Sequence, residues 1–336
     1  MERMKAVVNT EYGSPDVLRF IEVDKPMPKD NEVLVKVHAS SVNAADWHLL
    51  RADPFLVRFS GLGILKPKNT ILGSDVAGTV EAVGPKVRDF KPGDEVFGDV
   101  FVSGLGGFAE YVSVPEKFLV SKPTTVTFEE AAAAPLAALT ALHGLRDNGK
   151  IQPGQKVLVN GASGGVGSFA VQLAKYFGAE VTAVCSTRHL DLMKALGADH
   201  VIDYTREDFT KNGQRYDLIL AANGYHSIFD YKRALSPKGI YVMSGGSGAQ
   251  MAQAMLIGPL LSRKNGQKLG NFLSTPNKKD LLFLKEVMET GKVKAVIDRR
   301  YPLSKVADAI RYLEEGHARG KVVINVIDST IAEQNS

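Results

Sequence analysis

Cysteine is nearly missing: Cys185 stands alone in 336 residues, so the chain makes no internal disulfide and supplies no multi-cysteine zinc site. That fits a reducing compartment. Neither sign of charge prevails. Lys plus Arg number 41 against 37 for Asp plus Glu, and the balance of +4 is spread along the chain. A nucleic-acid binder would gather it into a basic patch. Long apolar runs are scarce too. Residues 131–142 contain Pro135 and Thr140 and fall short of the ~20 residues that cross a bilayer. Residues 240–262 are uncharged, but glycines, serines, Gln250, Gln253 and Pro259 interrupt them. The first twelve residues include Glu2, Arg3, Lys5 and Glu11 and lack the apolar core of a signal peptide. Together these absences point to a soluble, cytoplasmic protein. The seven histidines show no one-turn pair of the kind a helical zinc site uses, and no phosphate loop ends in Gly-Lys-Ser/Thr.

What is present reads as about two domains, at roughly 150 residues each. A hydrophobic fraction of 44% with 23% charged residues is ordinary globular composition. Up to about residue 120, short β-branched segments around Val7, Val17, Val33–Val37 and Val76–Val83 are punctuated by Gly, Pro, Asn and Asp. This half reads as a closed or nearly closed sheet. From Gln155 strands alternate with helices: 156–160 then 165–177, 180–185 then 190–196, 216–222, and 239–243. Such alternation implies an α/β fold with a parallel sheet. Two helical patterns follow at 278–290 and 303–315, and a last strand at 321–326 needs a host sheet, the N-terminal one. The tail from Asp328 reads as frayed.

The sharpest local signal is Val157-Leu-Val-Asn-Gly-Ala-Ser-Gly-Gly-Val-Gly167, set between an apolar strand and a helical run. In a dinucleotide fold such glycines permit a tight turn, close approach of backbone to pyrophosphate, and close packing of helix on strand. Ala162 takes the first glycine's place, with Gly164 and Gly167 in the other two. The same turn contains Gly161-Ala-Ser163-Gly-Gly165, a literal nucleophile-elbow pattern, but no acid-then-histidine pair stands out downstream. An NAD-selective site would carry an acid about 20 residues on, at the end of the second strand. Here Ser186-Thr187-Arg188 stand there, two hydroxyls and a guanidinium suited to a 2′-phosphate, which favours NADPH. Cys185, inside an apolar strand, reads as inert.

Four segments recur in a familiar order: Val80-Glu-Ala-Val-Gly-Pro-Lys-Val87, Lys91-Pro-Gly-Asp-Glu-Val-Phe-Gly98, Gly106-Gly-Phe-Ala-Glu-Tyr-Val112 and Ala162-Ser-Gly-Gly-Val-Gly167. On them the chain resembles the medium-chain dehydrogenase/reductase superfamily, and within it the zinc-free quinone oxidoreductase branch. The resemblance runs from Met4-Lys-Ala to Gly316-His-Ala-Arg-Gly-Lys-Val-Val323. Asn43-Ala-Ala-Asp-Trp47 and Gly73-Ser-Asp-Val-Ala-Gly78 look most like the chloroplast-envelope quinone oxidoreductases and plant alkenal and oxo-alkene reductases.

The resemblance implies a GroES-like substrate domain at residues 1–122 and 275–336 and a Rossmann doubly wound domain at 123–274, with substrate in the cleft. It places a zinc ligand of related dehydrogenases at Asn43 and a His-Glu pair at Ser74-Asp75, which speaks against zinc here. It puts Asn43 and Thr140 near the nicotinamide, Ser163, Gly164, Gly165 and Val166 at the pyrophosphate, Ser186 and Arg188 at the 2′-phosphate, and Tyr204 beside the adenosine. Asn223 and Gly245 would line the ribose and nicotinamide side, with Phe272, Leu273 and Lys321 as further contacts. Many quinone reductases have a tyrosine near the Asn-x-x-Asp segment; Trp47 beside Asp46 departs from that pattern and joins Asn43 as a catalytic candidate. Ordinary alternatives exist: Asn43 as a turn residue, Asp46 as a helix cap, Trp47 as core, Tyr204 as cover for a sheet edge.

Segment 53–69, with Phe55, Leu56, Phe59, Leu62, Ile64 and Leu65 among Arg58, Lys66 and Lys68, reads as an apolar lid, with a packed excursion of the N-terminal sheet and weak attachment to an anionic membrane surface as the alternatives. The expected activity is NADPH-dependent, zinc-independent hydride transfer to a small hydrophobic quinone or α,β-unsaturated carbonyl, in a homodimer. A 2-enoyl-thioester reductase, a zinc alcohol dehydrogenase and a non-enzymatic NADPH-binding module are the alternatives.

Overall fold

The computed structural model describes residues 2–53, 55, 58, 63–262 and 266–327. In chain order its strands are β1 (Arg3–Val8), β2 (Arg19–Asp24), β3 (Glu32–Val42), β4 (Asp75–Val83), β5 (Glu95–Asp99), β6 (Tyr111–Pro115), β7 (Leu119–Ser121), β8 (Lys156–Asn160), β9 (Glu180–Cys185), β10 (His200–Asp203), β11 (Tyr216–Ala221), β12 (Leu235–Met243), β13 (Lys268–Asn271), β14 (Ile297–Pro302) and β15 (Lys321–Asn325). They divide between two compact units, Met1–Leu136 with Thr275–Ser336, and Ala137–Ser274. Residues 123–136, expected with the dinucleotide domain, group with the first unit. There the helix Phe128–Ala132, opened by a reciprocal Thr127–Glu130 capping box, packs on β3, β4 and β15.

In the first unit a sheet runs β14-β15-β3-β4-β5-β7, with β6 also on β3. The eleven residues of β3 make this possible, because Glu32–Lys36 pair with β6 and Ala39–Val42 pair with β15. Val33, Val35 and Val37 alternate onto one face and are fully buried with Val76, Val96 and Val114. Burying each such side chain stabilises by about 1.5–3 kcal/mol. The segment around Val17 is no strand: Pro15–Val17 form a 3₁₀ turn, because Pro15 occupies its first position and Ser14 caps it through Asp16 N–H. The final strand finds the expected host, since β15 pairs antiparallel with β3.

The second unit is a six-stranded sheet, all parallel, in the order β10-β9-β8-β11-β12-β13. Chain direction across the sheet reverses between β8 and β11, the switch point where open α/β sheets hold ligands beyond the strand ends. The helix α1 (Ala44–Arg51) belongs to the first unit; in the second, a twelve-residue helix at Gly165–Tyr176 follows β8. Its Phe169, Ala170, Leu173 and Ala174 recur at helical spacing and are buried where it packs on β8 and β9.

Candidate active site

The turn after β8 is built by two glycines. Gly161 holds φ at +77°, a region that favours glycine, so it makes the tight turn that Ala162 was expected to make. At Gly167 a Cβ would lie 2.2 Å from the Gly161 carbonyl oxygen, so only glycine lets the helix start this close to β8. Gly164 is the N-cap of Gly165–Tyr176 and offers no capping side chain. The first N–H groups of the helix, at Gly165, Val166 and Gly167, are left for an anion at the positive end of the helix dipole. Ser163, half-buried beside them, has no hydrogen-bond partner for its hydroxyl among the described residues, and no histidine reaches it. A nucleophile without a base does not support the elbow reading. This cradle fits the pyrophosphate of a dinucleotide.

Beside it, Ser186 and the exposed Arg188 follow β9, and Arg188 has no side-chain partner among the described residues. Tyr204, 55% exposed, follows the outermost strand β10. Thr187 differs from expectation. Its hydroxyl donates to Asp203 Oδ2, so that proton is already committed. Burial, together with the Asp203 carboxylate, pushes the Cys185 thiol up to about 11, consistent with inertness. Asn223, after β11, donates its N–H to the Asn160 carbonyl at 3.3 Å, and Gly245, after β12, donates to the Ala221 carbonyl at 3.3 Å. Both therefore stand at the switch-point end of the sheet. Thr140 is half-buried in the helix Pro135–Leu142. Phe272, directly after β13, packs its ring against Gly144, whereas the neighbouring Leu273 is 84% exposed.

A second polar cluster lies in the first unit, and strand register assembles it. Ser41 of β3 pairs with Asp75 of β4, which pairs with Asp99 of β5. Val322 pairs with Val42, so Lys321 at the start of β15 meets Asn43 just past the end of β3. The Lys321 ammonium, 2% exposed, donates to Asn43 Oδ1 and lies 3.3 Å from Asp75 Oδ2. Asn43 Nδ2 donates to Asp75 Oδ2 at 2.8 Å and to the Ser41 carbonyl at 3.3 Å. Asp75 also accepts from Ser41 Oγ at 2.5 Å and from Leu136 N–H at 2.7 Å. With its donors engaged, the Asn43 amide keeps only acceptor capacity at Oδ1.

Asp46, fully buried, accepts from the N–H groups of Asn43 at 2.7 Å and Gly73 at 3.1 Å, which is the capping role. Burial pushes its carboxyl up to about 7. Burial, with Asp75 next, pushes Asp99 up to about 8. Sequence reasoning missed Asp99 and the partnership of Asp75 with Lys321, because charge alone suggests solvent. Trp47 takes no part in this network: it packs against the apolar cluster of Leu50, Leu72 and Phe108 and stacks on His48 at 3.6 Å.

The donor chemistry at the position of the related dehydrogenases' zinc does not suit that ion. Asn43, Ser74 and Asp75 offer oxygens only, and a lysine ammonium already bonds to two of them, whereas catalytic zinc is held by at least two His or Cys ligands. Of the expected lid, Leu56, Phe59 and Leu62 lie outside the described residues. Among its described members, Arg58 lies over the rings of Tyr12, at 4.6 Å, and Phe55, at 5.1 Å.

Residues 29–124 match the alcohol dehydrogenase GroES-like domain, and residues 196–324 match the family described as zinc-binding dehydrogenase. The tomato (Solanum lycopersicum) 2-methylene-furan-3-one reductase is 41% identical, over 96% of this chain and 79% of its own length. An Arabidopsis thaliana NADPH-dependent alkenal/one oxidoreductase is 38% identical, over 96% and 80%. The solved quinone oxidoreductase from Coxiella burnetii superposes with a TM-score of 0.84 at 29% identity, covering 97% of this chain and all of that one. The cytoplasmic expectation is overturned here. The alkenal/one oxidoreductase and other relatives carry chloroplast or mitochondrial names, which point to an organelle. With 41% identity over nearly its whole length and both domains matched, the chain belongs to the medium-chain dehydrogenase/reductase superfamily, in its quinone oxidoreductase and alkenal reductase branch.

Proposed function

We propose that the chain is an NADPH-dependent, zinc-independent reductase acting on small hydrophobic quinones or on enones and enals. The observation that carries this reading is the end of β9. Ser186 and Arg188, which has no side-chain partner among the described residues, stand where an NAD-selective site holds a carboxylate, and the nearby Asp203 already accepts from Thr187 and Thr205. The relatives' names support it, one with NADPH and an alkenal or enone, another with a methylene-furanone.

In this reading the N–H groups of Gly165 to Gly167 hold the pyrophosphate, with Ser163 and Gly164 beside them. Ser186 and Arg188 hold the 2′-phosphate by charge-assisted bonds, and Tyr204 covers the adenosine. Within the second unit, Asn223 and Gly245 flank the ribose, Thr140 serves the nicotinamide, and Phe272 and Leu273 are outer contacts. The bound nucleotide supplies a hydride to the quinone or to the β-carbon of the enone. The chain's part is to orient, to exclude water, and to stabilise the developing oxyanion with donors worth about 3 kcal/mol each. Solvent or a local hydroxyl completes protonation. A homodimer belongs to the same reading, because β13 borders the parallel sheet with one side unpaired among the described residues.

Steady-state rates with NADPH and NADH across naphthoquinone-like, enone-like and enoyl-thioester acceptors test it. The expectation is turnover of quinones or enones with at least about tenfold higher kcat/KM for NADPH. No NADPH oxidation by any acceptor ends the reductase assignment, and turnover confined to enoyl-thioesters transfers it to that class.

A further inference from the structure

Strands β9 and β10 end side by side, Cys185 in register with Asp203. Beyond Cys185 the chain carries Ser186, Thr187 and Arg188; beyond Asp203 it carries Tyr204, Thr205 and Arg206. One carboxylate connects the two segments. Asp203 is 8% exposed; its Oδ2 accepts from Thr187 Oγ1, and its Oδ1 accepts from the Thr205 hydroxyl at 2.7 Å and N–H at 3.0 Å. The Arg206 guanidinium lies 3.6 Å from Oδ2, and the two threonine oxygens are 3.4 Å apart. Apart from this junction, the segments are joined by the Tyr204 N–H donating to the Cys185 carbonyl at 3.1 Å. Because β10 is the outermost strand of its sheet, no further strand among the described residues supports the Tyr204 segment from the other side.

We infer that Asp203 is a positioning residue that sets the preference for a 2′-phosphorylated nicotinamide nucleotide by holding the Arg188 and Tyr204 segments at a fixed separation. The inference rests on the NADPH reading above and deepens it. A nucleotide held by its 2′-phosphate from one loop and by its adenosine from another is bound well only if both loops are in place before it arrives, since otherwise binding must order them. Asp203 does not touch the ligand in this account. Its oxygens are used inward by Thr187 and Thr205, which also occupies the negative charge that would otherwise repel a phosphate. The Thr187 hydroxyl bond holds its carboxyl below the usual range, so the tie stays ionised near neutrality.

The test compares binding of 2′,5′-ADP and 5′-AMP by calorimetry in the full-length wild type, Asp203→Asn and Asp203→Ala, with melting temperatures and NADPH and NADH kinetics alongside. The wild type should favour 2′,5′-ADP. Asp203→Ala should weaken 2′,5′-ADP about tenfold and 5′-AMP, which meets only the Tyr204 side, by no more than about threefold, and should raise KM for NADPH with kcat little changed. Asp203→Asn, which keeps an acceptor oxygen for Thr205, should fall between. A wild type without preference for 2′,5′-ADP removes the NADPH reading itself. A wild type with that preference, retained in Asp203→Ala or lost equally for both ligands, overturns only the role given to Asp203. If Asp203→Ala fails to fold, Thr205→Val removes one arm of the tie and leaves Ser186, Arg188 and Tyr204 in place. A lowered ligand ratio there supports the inference, and an unchanged one overturns it.

Discussion

Replacing Lys321 by methionine tests whether the polar cluster of the first unit is a paired buried charge. The methionine matches the lysine stem in length and removes only the ammonium, which is 2% exposed and lies against Asn43 Oδ1 and Asp75 Oδ2. Asp75 is fully buried and stays behind with Asp46 and Asp99 as neighbours. Removing one member of a buried pair costs about 3–5 kcal/mol, mostly from the stranded charge. Each kcal/mol moves the midpoint by about 2–4 °C in a unit of this size, so Lys321→Met should melt roughly 6–20 °C lower. Scanning calorimetry without nucleotide reads this directly. Adding Asp75→Asn to Lys321→Met should restore part of the loss, because the stranded carboxylate is gone. A single variant melting within about 2 °C of wild type, or a double variant no better than the single, refutes the pairing argument.

Arg188→Ala removes charge-assisted bonds of about 1.5–3 kcal/mol, so KM for NADPH should rise about 10- to 100-fold with NADH barely affected; an equal rise for both refutes its assignment to the 2′-phosphate. Gly167→Ala drives a Cβ to within 2.2 Å of the Gly161 carbonyl. Such overpacking costs about 1–3 kcal/mol, so both the melting temperature and dinucleotide affinity should fall, and unchanged affinity would show the turn to be only structural. Asp46 and Asp99 are held up to about 7 and about 8, against roughly 4 unfolded. The native chain then binds more protons than the unfolded one from about pH 4 to 8, so their contribution to stability falls as pH rises through that window. Asp99→Asn should flatten the fall between pH 6 and 8; urea midpoints that keep the wild-type slope contradict it.

The nucleotide side of this protein is readable because it is local. Apolar strand, glycine turn and amphipathic helix occupy Lys156 to Tyr176 without a break, and 3.6-residue periodicity with glycine chemistry specifies them nearly alone. The same holds for β9, whose Val181 to Cys185 are all buried, on both faces of the parallel sheet. Val17 misled because a β-branched residue outweighed the Ser14-Pro15 start signal beside it. The charged cluster was hidden for a different reason. Asp75 and Asp99 meet only through the β4–β5 register, and Lys321 arrives from a strand 246 positions away from Asp75. No short-range pattern encodes that meeting. The Thr187 hydroxyl looked like a phosphate ligand, and only the parallel pairing of β9 with β10 reveals Asp203 as its partner.

The first unit is written in two pieces of chain, with the whole second unit between them. On the ribosome, β3 and β4 therefore emerge long before β15, and the acids near Asn43 wait for the Lys321 ammonium until the whole second unit has been made. The second unit, one continuous stretch, can close early and alone. The first unit's sheet is thus closed only when β15 arrives, which makes Lys321 a late-arriving lock: a copy stopped before it leaves these acids without their ammonium and β3 without its β15 partner, and offers quality control a clear target.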